Sequence, residues 1–259
     1  MNKEKLQVTL DAGVKRITFN NPARRNAIDF GMFEAFAAAV EEAAADESRV
    51  VVITGAGDFF CAGLDMKSID PRELASMDVA ARIREQIHPP IAGLRNLPKP
   101  VMARVHGPAA GIGFSYVLAS DEATFRQSFV RVGLMPDGGA TYLLPALVGR
   151  AKAFELMATG DTLTAHDAQR LGLVSRVVPR TELDAVCDEL AAGLAAAPQP
   201  SLARIKAALH LSEQQALAAA LDFEAEGQAA CFRSPDFIEG VTAFIQKRPP
   251  QFGKGRGKS

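Results

Sequence analysis

Residues that bind metals or form disulfides are scarce in this chain, with 3 cysteines and 4 histidines among 259 residues. Cys61, Cys187 and Cys231 are odd in number and widely separated. That is the pattern of reduced thiols, and it points to a cytoplasmic protein. No Cys or His pair has metal-ligand spacing, so no metal is expected. An excess of one charge is missing too: 29 basic side chains face 30 acidic ones, for a net charge of −1. Neither nucleic acid nor a membrane surface is therefore an expected partner. The only basic cluster is the glycine-rich tail at residues 254–258. Charges interrupt every long apolar stretch, so no membrane span is expected. Strand-like sequence begins by Leu6, so no secretory leader is expected either.

What the chain does have is apolar content, 48% of its residues, enough for a sizeable core. It also has two similar glycine-rich stretches. Residues 98–115 (PKPVMARVHGPAAGIGFS) read as a short buried strand running into Gly107, Gly111 and Gly113 and then a helix. Residues 49–67 (RVVVITGAGDFFCAGLDMK) repeat the order, with a β-branched strand, then a turn at Ala62-Gly63-Leu64-Asp65. A strand entering a helix through glycines leaves backbone N–H groups without partners, and these suit a negatively charged oxygen. One such cluster alone reads as tight strand–helix packing. Two of them can aim one N–H each at a single oxygen, the geometry of an oxyanion hole.

These two segments closely resemble the crotonase (enoyl-CoA hydratase/isomerase) superfamily. The likeness extends to Asn21-Pro22 with Arg25-Asn26-Ala27-Ile28, to GLMPDGGATYLLPALVGRAKAFELMATG, to AHDAQRLGLVSRVV and to EGVTAFIQKRPPQF, and so covers nearly the whole chain. The resemblance implies an α/β fold, a crotonase-like spiral of ββα units followed by a C-terminal helical trimerisation region. It implies an acyl-CoA thioester as substrate, with no cofactor beyond the coenzyme A that the substrate carries, and a homotrimer or dimer of trimers. The matched oxyanion positions are the N–H groups of Leu64 and Ile112. Arg25, Ala27, Ile28, Ala62, Gly63, Asp65, Met66 and Gly111 match positions along the thioester and the CoA, and Phe244, Lys247 and Phe252 match positions that approach the CoA from a neighbouring subunit. Arg24, Arg25 and Lys67 are candidates for the CoA phosphates, or solvated surface charges.

The acid–base positions depart from the family's hydratases, which use two glutamates. The matching positions here are Ser115 and Phe129, and neither is a carboxylate. Asp137, in Met135-Pro136-Asp137-Gly138-Gly139, remains, and several isomerases of the family carry their carboxylate there. By turn chemistry alone Asp137 reads as an N-cap or turn residue. In the family context it reads as a proton shuttle whose apolar neighbours Phe129, Leu134 and Met135 raise its pKa. One carboxylate favours isomerisation over hydration. Within the family, PDGGATYLLPALVGRA and EGVTAFIQKRPPQF look most like the isomerases of phenylacetate breakdown, which act on a ring-epoxide thioester and shift enoyl double bonds. The alternatives are an enoyl-CoA hydratase, an aryl-CoA dehalogenase, or a non-catalytic acyl-CoA-binding scaffold. Phe114-Ser115 also runs straight into the next strand, about six residues short of the family's usual length, or a turn and a half of helix.

Gly107, Gly111 and Gly113 also fit the GxxxGxG spacing of short-chain dehydrogenases. That motif belongs near the N-terminus with a Tyr-x-x-x-Lys pair, and neither Tyr116 nor Tyr142 has the lysine. His106 either touches substrate or is a packed, hydrogen-bonded residue, and Cys61 reads as a small core residue.

The periodicity predicts a hairpin from residues 6–10 and 14–19, and a helix over 32–45 with Phe33, Phe36 and Val40 on one face. It predicts two helices over 68–97 interrupted at Pro89-Pro90, in a place where a substrate lid is usual. It further predicts an extended segment at 125–132, a helix at 139–148 stopped or bent at Pro145, a helix at 151–159, a strand at 174–178, and helices at 182–196, 202–230 and 235–246. The break near Ala197, flanked by Pro198 and Pro200, divides the chain into residues 1–197, the core for acyl-CoA binding and catalysis, and 198–259, the helical oligomerisation region.

Overall fold

A computed structural model describes residues 5–70, 72, 76–110, 116–210 and 214–251. The hairpin is β1 (Leu6–Asp11) and β2 (Val14–Phe19), with Leu6 opposite Phe19 and Asp11 opposite Val14. Helix α1 (Phe30–Ala45) follows, capped by the Asp29 carboxylate, which accepts the Met32 N–H at 2.9 Å. Then come β3 (Val50–Gly55), α2 (Val79–Arg82), a π-helical turn (Ile83–Ile87) and α3 (His88–Asn96). Next in order are β4 (Val101–Val105), β5 (Ala109–Ala110), β6 (Tyr116–Ser120) and β7 (Thr124–Arg126). The chain continues through α4 (Ala140–Val148), α5 (Arg150–Thr159), β8 (Thr162–Thr164), α6 (Ala165–Arg170) and β9 (Arg176–Val178). It closes with α7 (Leu183–Ala196), α8 (Gln199–His210), α9 (Gln214–Phe232) and α10 (Pro235–Ile245).

Six strands form one sheet in the order β1-β2-β3-β4-β6-β9, antiparallel only at the β1–β2 hairpin. A second, three-stranded sheet has the order β5-β7-β8. The continuous apolar run of β3 divides by the two-residue period of a strand. Val51 and Ile53 face one core with Ile17, Phe19, Ala103 and Val105, covered by Met32 and Phe36 of α1 and Ile91 and Leu94 of α3. Val50 and Val52 face the other with Met102 and Leu118, covered by Leu183, Cys187 and Ala191 of α7. Each of these aliphatic side chains contributes about 1.5–3 kcal/mol by leaving water.

Three expectations are corrected. Pro89-Pro90 do not interrupt the helical path. The π turn just before them moves the hydrogen bonds by one residue, with the His88 N–H reaching the Ile83 carbonyl, and the prolines fall in the first turn of α3, where their missing donors are tolerated. Pro145 does not stop α4, whose later bond from Gly149 N–H to Pro145 O is intact at 2.9 Å. The extended segment ends at Arg126, and residues Phe129–Val132 form a 3₁₀ turn closed by Gly133 at φ 75°. The helix expected over 202–230 is helical at Gln199–His210 and Gln214–Phe232, and residues 211–213 lie outside the described residues.

The C-terminal helices are tied to the rest by specific contacts. Leu221, Ala225 and Ala229 of α9 are buried. Arg84 of the π turn pairs with Asp222 and Glu226 of the same helix at 2.6 and 2.7 Å. Lys206 of α8 is buried and donates to the carbonyls of Leu94, Leu97 and Lys99 at 2.6, 2.9 and 3.1 Å. It thereby caps the C-terminal end of α3. Among the described residues, no helix is long and apolar enough to cross a membrane.

Candidate active site

The first wall of the site is built by a buried amide. Asn26 donates through Nδ2 to the carbonyls of Ala56 and Phe59 at 2.8 and 2.6 Å and accepts the Asn21 N–H at 2.9 Å. This fixes residues 25–28 beside residues 62–65. The Ala62 N–H donates to Arg25 O at 3.1 Å, the Ile28 N–H to Gly63 O at 2.8 Å, and the Asp65 N–H to Ile28 O at 2.9 Å. The Gly63 N–H reaches the Cys61 sulfur at 3.4 Å. Inside this lacing the Leu64 N–H has no hydrogen-bond partner among the described residues.

The second glycine stretch is held against the first. The Phe60 and Cys61 N–H groups share the Pro108 carbonyl at 3.2 and 3.4 Å, and Cys61 pairs with Ala109 in a parallel bridge. Only glycine fits at 107, because a Cβ there would stand 2.0 Å from the Asp58 carbonyl oxygen. Leu64 and Ile112 each lie 3 residues past the paired Cys61 and Ala109 in sequence. Ile112 itself, with Gly111 and Ser115, lies outside the described residues, as does Phe252.

Asp137 sits on the turn that opens α4, and it does not cap that helix. Glu224 of α9 does so from across the structure. It is fully buried, and it accepts the Gly139 N–H at 2.8 Å, the Thr141 N–H at 3.0 Å and the Thr141 hydroxyl. The Asp137 carboxyl is left half-buried and, among the described residues, has one side-chain hydrogen-bond partner, Gln228 Nε2, at 3.0 Å from Oδ2. Burial pushes this carboxyl up to about 6; the Gln228 hydrogen bond opposes the rise and the charge of Glu224 adds to it. Burial also holds Glu224 above its ordinary range, against the donors from Thr141 and Gly139.

A cavity of about 110 Å³ lies between these parts. Phe60, Val105 and Ala109 line it from the strand side, and Gly138, Ala140, Leu143 and Leu144 from the Asp137 turn and α4. Its walls are largely apolar, as a pocket for an apolar acyl group would be.

The remaining sequence candidates are placed as follows. Ala27 and Ile28 are buried, Ala62 is exposed, and Met66 begins a 3₁₀ turn with its N–H on Leu64 O. Asp65 is committed to structure, since its carboxylate takes both Nη2 and Nε of Arg24, at 2.7 and 3.2 Å, and caps the 3₁₀ turn through the Lys67 N–H. Arg25 is exposed and lies over the Phe59 ring at 5.1 Å. Phe129 opens the 3₁₀ turn before Asp137. Phe244 is 59% exposed near the end of α10, and Lys247 follows with φ 54°. Burial pushes the Cys61 thiol up to about 11, which makes it a core residue rather than a nucleophile. His106 is buried against Arg104, with Nδ1 at 3.1 Å from Nη1, and burial and then the Arg104 charge hold it below its ordinary value. Among the described residues no group of His, Cys, Asp and Glu is arranged for a metal.

Sequence reasoning missed Glu224 and Gln228. Their signal was present: Leu221, Glu224, Ala225, Gln228, Ala229 and Phe232 fall at helical spacing on one stripe of α9, and two polar residues interrupt that apolar stripe.

A spiral of strand and helix units, with the Leu64 amide unpaired among the described residues on a glycine turn and an acid on the turn whose Gly138 lines the pocket, defines a crotonase-fold protein. The profile of the enoyl-CoA hydratase/isomerase family matches residues 9–255, and the chain belongs to that family. It is 36% identical to the 1,2-epoxyphenylacetyl-CoA isomerase of Escherichia coli K12, over 94% of this chain and 96% of the relative. It is 35% identical to a probable enoyl-CoA hydratase of Rhodobacter capsulatus, over 97% of this chain and 99% of the relative. Among solved structures, an enoyl-CoA hydratase from Mycobacterium avium subsp. paratuberculosis superposes with a TM-score of 0.87 at 38% identity, covering 96% of this chain and 98% of that one.

Proposed function

We propose that the protein is an isomerase of acyl-CoA thioesters that shifts an enoyl double bond or opens a ring epoxide through an enolate, with Asp137 as acid and base. The observation that carries this reading is the Asp137 carboxyl, which precedes the cavity-lining Gly138 on the same turn and is pushed up to about 6, so that it can both take and return a proton near neutrality. Asp137 takes the proton from the carbon next to the thioester carbonyl as that C–H bond breaks. The electron pair moves onto the thioester oxygen, which the Leu64 and Ile112 N–H groups hold. The same carboxyl then returns the proton at the far end of the conjugated system. The oxygen gains charge only in the enolate, so the two donors favour the transition state over the bound substrate. Hydration needs a second proton-transfer group; Glu224 has both oxygens occupied by Gly139 and Thr141, and Asp161, which lines the cavity, faces Arg131 at 3.6 Å. No cofactor beyond the substrate's own coenzyme A takes part, and a cytoplasmic location fits the three free thiols.

The assembly belongs to the same proposal. Ile205 and Leu209 on α8 and Ile238, Phe244 and Ile245 on α10 are 57–67% exposed. Residues 198–259 thus offer an apolar surface for a homotrimer or dimer of trimers. Light scattering at micromolar concentration reads the assembly directly, and a stable monomer rules it out.

Asp137→Asn tests the chemistry. It keeps the side chain's size and removes the basic oxygen, so isomerisation of a 3-enoyl-CoA falls by ~100-fold or more while thioester binding survives. Wild-type rates in that variant make Asp137 a turn residue. Hydration of a 2-enoyl-CoA faster than isomerisation would contradict the single-carboxylate reading. Binding without turnover of any thioester would favour a scaffold.

A further inference from the structure

We propose that Gln228 and Glu224, one turn apart on α9, are the positioning residues of Asp137: Gln228 holds the carboxyl by one oxygen, and Glu224 holds the turn that carries it. The inference rests on the reading of Asp137 as the acid and base of the reaction.

Gln228 is 1% exposed, and its Nε2 donates to Asp137 Oδ2 at 3.0 Å, while its Oε1 has no partner among the described residues. A buried carbonyl without a donor is costly, and an apolar side chain of the same size would avoid that cost. A residue kept only for packing would not be an amide here. The bond to Oδ2 leaves Oδ1 as the shuttle oxygen. An O–H bond forms on Oδ1 as the substrate C–H breaks, the electron pair goes to the thioester oxygen, and the proton leaves Oδ1 for the second carbon.

Glu224 fills a different role. Its oxygens accept from Gly139 and Thr141, donors that favour its ionised form against its burial, and it fixes the direction in which the turn leaves for α4. Of the other charged residues around Asp137, Arg131 is turned to Gly160 and Asp161, and Asp222 and Glu226 to Arg84. Glu224 is the one whose charge is felt at the Asp137 carboxyl. The helix is brought in close by Gly227. A Cβ there would stand 2.0 Å from the Met135 sulfur, so this otherwise unfavourable helix-interior glycine admits the turn that carries Asp137.

The two partners act on the proton in opposite senses, and this supplies the test. Gln228→Met removes a donor to the ionised carboxylate, so Asp137 titrates at higher pH. Glu224→Gln removes a negative charge, so Asp137 titrates at lower pH. The full chain is titrated by ¹³C NMR of its aspartate carboxyls, in parallel with kcat and KM for a 3-enoyl-CoA across pH and with circular dichroism for the fold. Gln228→Met is expected to lower kcat about tenfold below pH 6, the scale of one hydrogen bond to a charged group, with KM little changed. Midpoints that stay put, or that move the same way in both variants, overturn the inference. If Glu224→Gln fails to fold, Gln228→Glu replaces it: the added negative charge must move the midpoint beyond that of Gln228→Met, and no movement overturns the inference. Titrations that move as stated in a protein that turns over no thioester overturn the catalytic reading of Asp137 and leave its two electrostatic partners in place.

Discussion

Asp46 and Asp137 are both half-buried carboxylates at helix ends, and their surroundings drive them in opposite directions. At the C-terminal end of α1, burial of Asp46 opposes ionisation but is outweighed by Lys15 at 2.8 Å, by Ser48, and by Lys99 at 3.3 Å, so the carboxyl lies well below its ordinary range. Lys15 is itself 3% exposed and needs that anion. At the start of α4, Asp137 meets an amide and a second carboxylate and, among the described residues, no cation, and its carboxyl rises. The first arrangement makes a clamp whose charge never changes in use. The second makes a group that changes charge near neutral pH at a standing cost in stability. Burial is common to both; the sign of the partner decides which is a structural pair and which can move a proton.

The comparison breaks most visibly at the clamp. Asp46→Ala leaves Lys15 buried with, among the described residues, only the exposed Glu42 as an ion-pair partner, at 3.5 Å. Losing one partner of such a pair costs about 3 kcal/mol, read as a lower midpoint in urea unfolding, with activity per folded molecule unchanged. The sign with pH is fixed. Asp46 is held below its ordinary value of 3.8, so its contribution is present above that value and is lost as pH falls from there through the lower folded value. The variant should therefore show a flatter acid limb of stability against pH. An unchanged acid limb would mean that Lys15 and Lys99 find other partners.

Asp137→Asn should act in the opposite sense. The folded carboxyl titrates at about 6 against an ordinary 3.8, so the native state binds the proton more tightly than the unfolded chain. Stability is undiminished below 3.8, falls as pH rises through 6, and stays lowered above it. Asparagine removes that penalty. The expected gain is on the order of 1–2 kcal/mol at pH 8, discounted for the partial exposure of the residue, and nil at pH 4. Thermal melts at the two pH values check it. A gain of equal size at both would show that the effect is packing and not charge.

Much of this contrast was legible in the sequence and part was not. The hairpin, the buried run of β3 and the glycine turn at residues 62–65 follow from local patterns, and the residues of the two glycine stretches carried the family likeness. Asp137 stood out through its Pro-Asp-Gly-Gly setting and apolar neighbours. Its partners did not, because Gln228 lies 91 residues away and Glu224 sits in an alanine-rich helix between Asp222 and Glu226, where an acidic run reads as solvated. Proline misled twice. At Pro89-Pro90 the π turn absorbed the missing donors, and at Pro145 a helix carried on through the loss of one bond. Such compensation depends on neighbouring backbone geometry, which composition does not report.

Gly227→Ala sharpens the comparison at the smallest scale. Alanine favours a helix interior by about 1 kcal/mol over glycine, but the new methyl would overlap the Met135 sulfur at 2.0 Å. Methionine is flexible and can yield, so the two effects nearly cancel and the melting temperature moves little. The turn carrying Asp137 cannot yield without lengthening its bond to Gln228. Turnover should then fall by roughly threefold to tenfold while stability is held within about 1 kcal/mol. Adding Met135→Ala removes the obstruction, and in the double variant the turnover should recover at a cost in stability from the cavity it leaves. A double variant no faster than Gly227→Ala alone would show that the approach of α9 does not set the geometry of Asp137. The clamp at Asp46 has no such dependence on a close helix approach, and neither substitution should alter its acid limb.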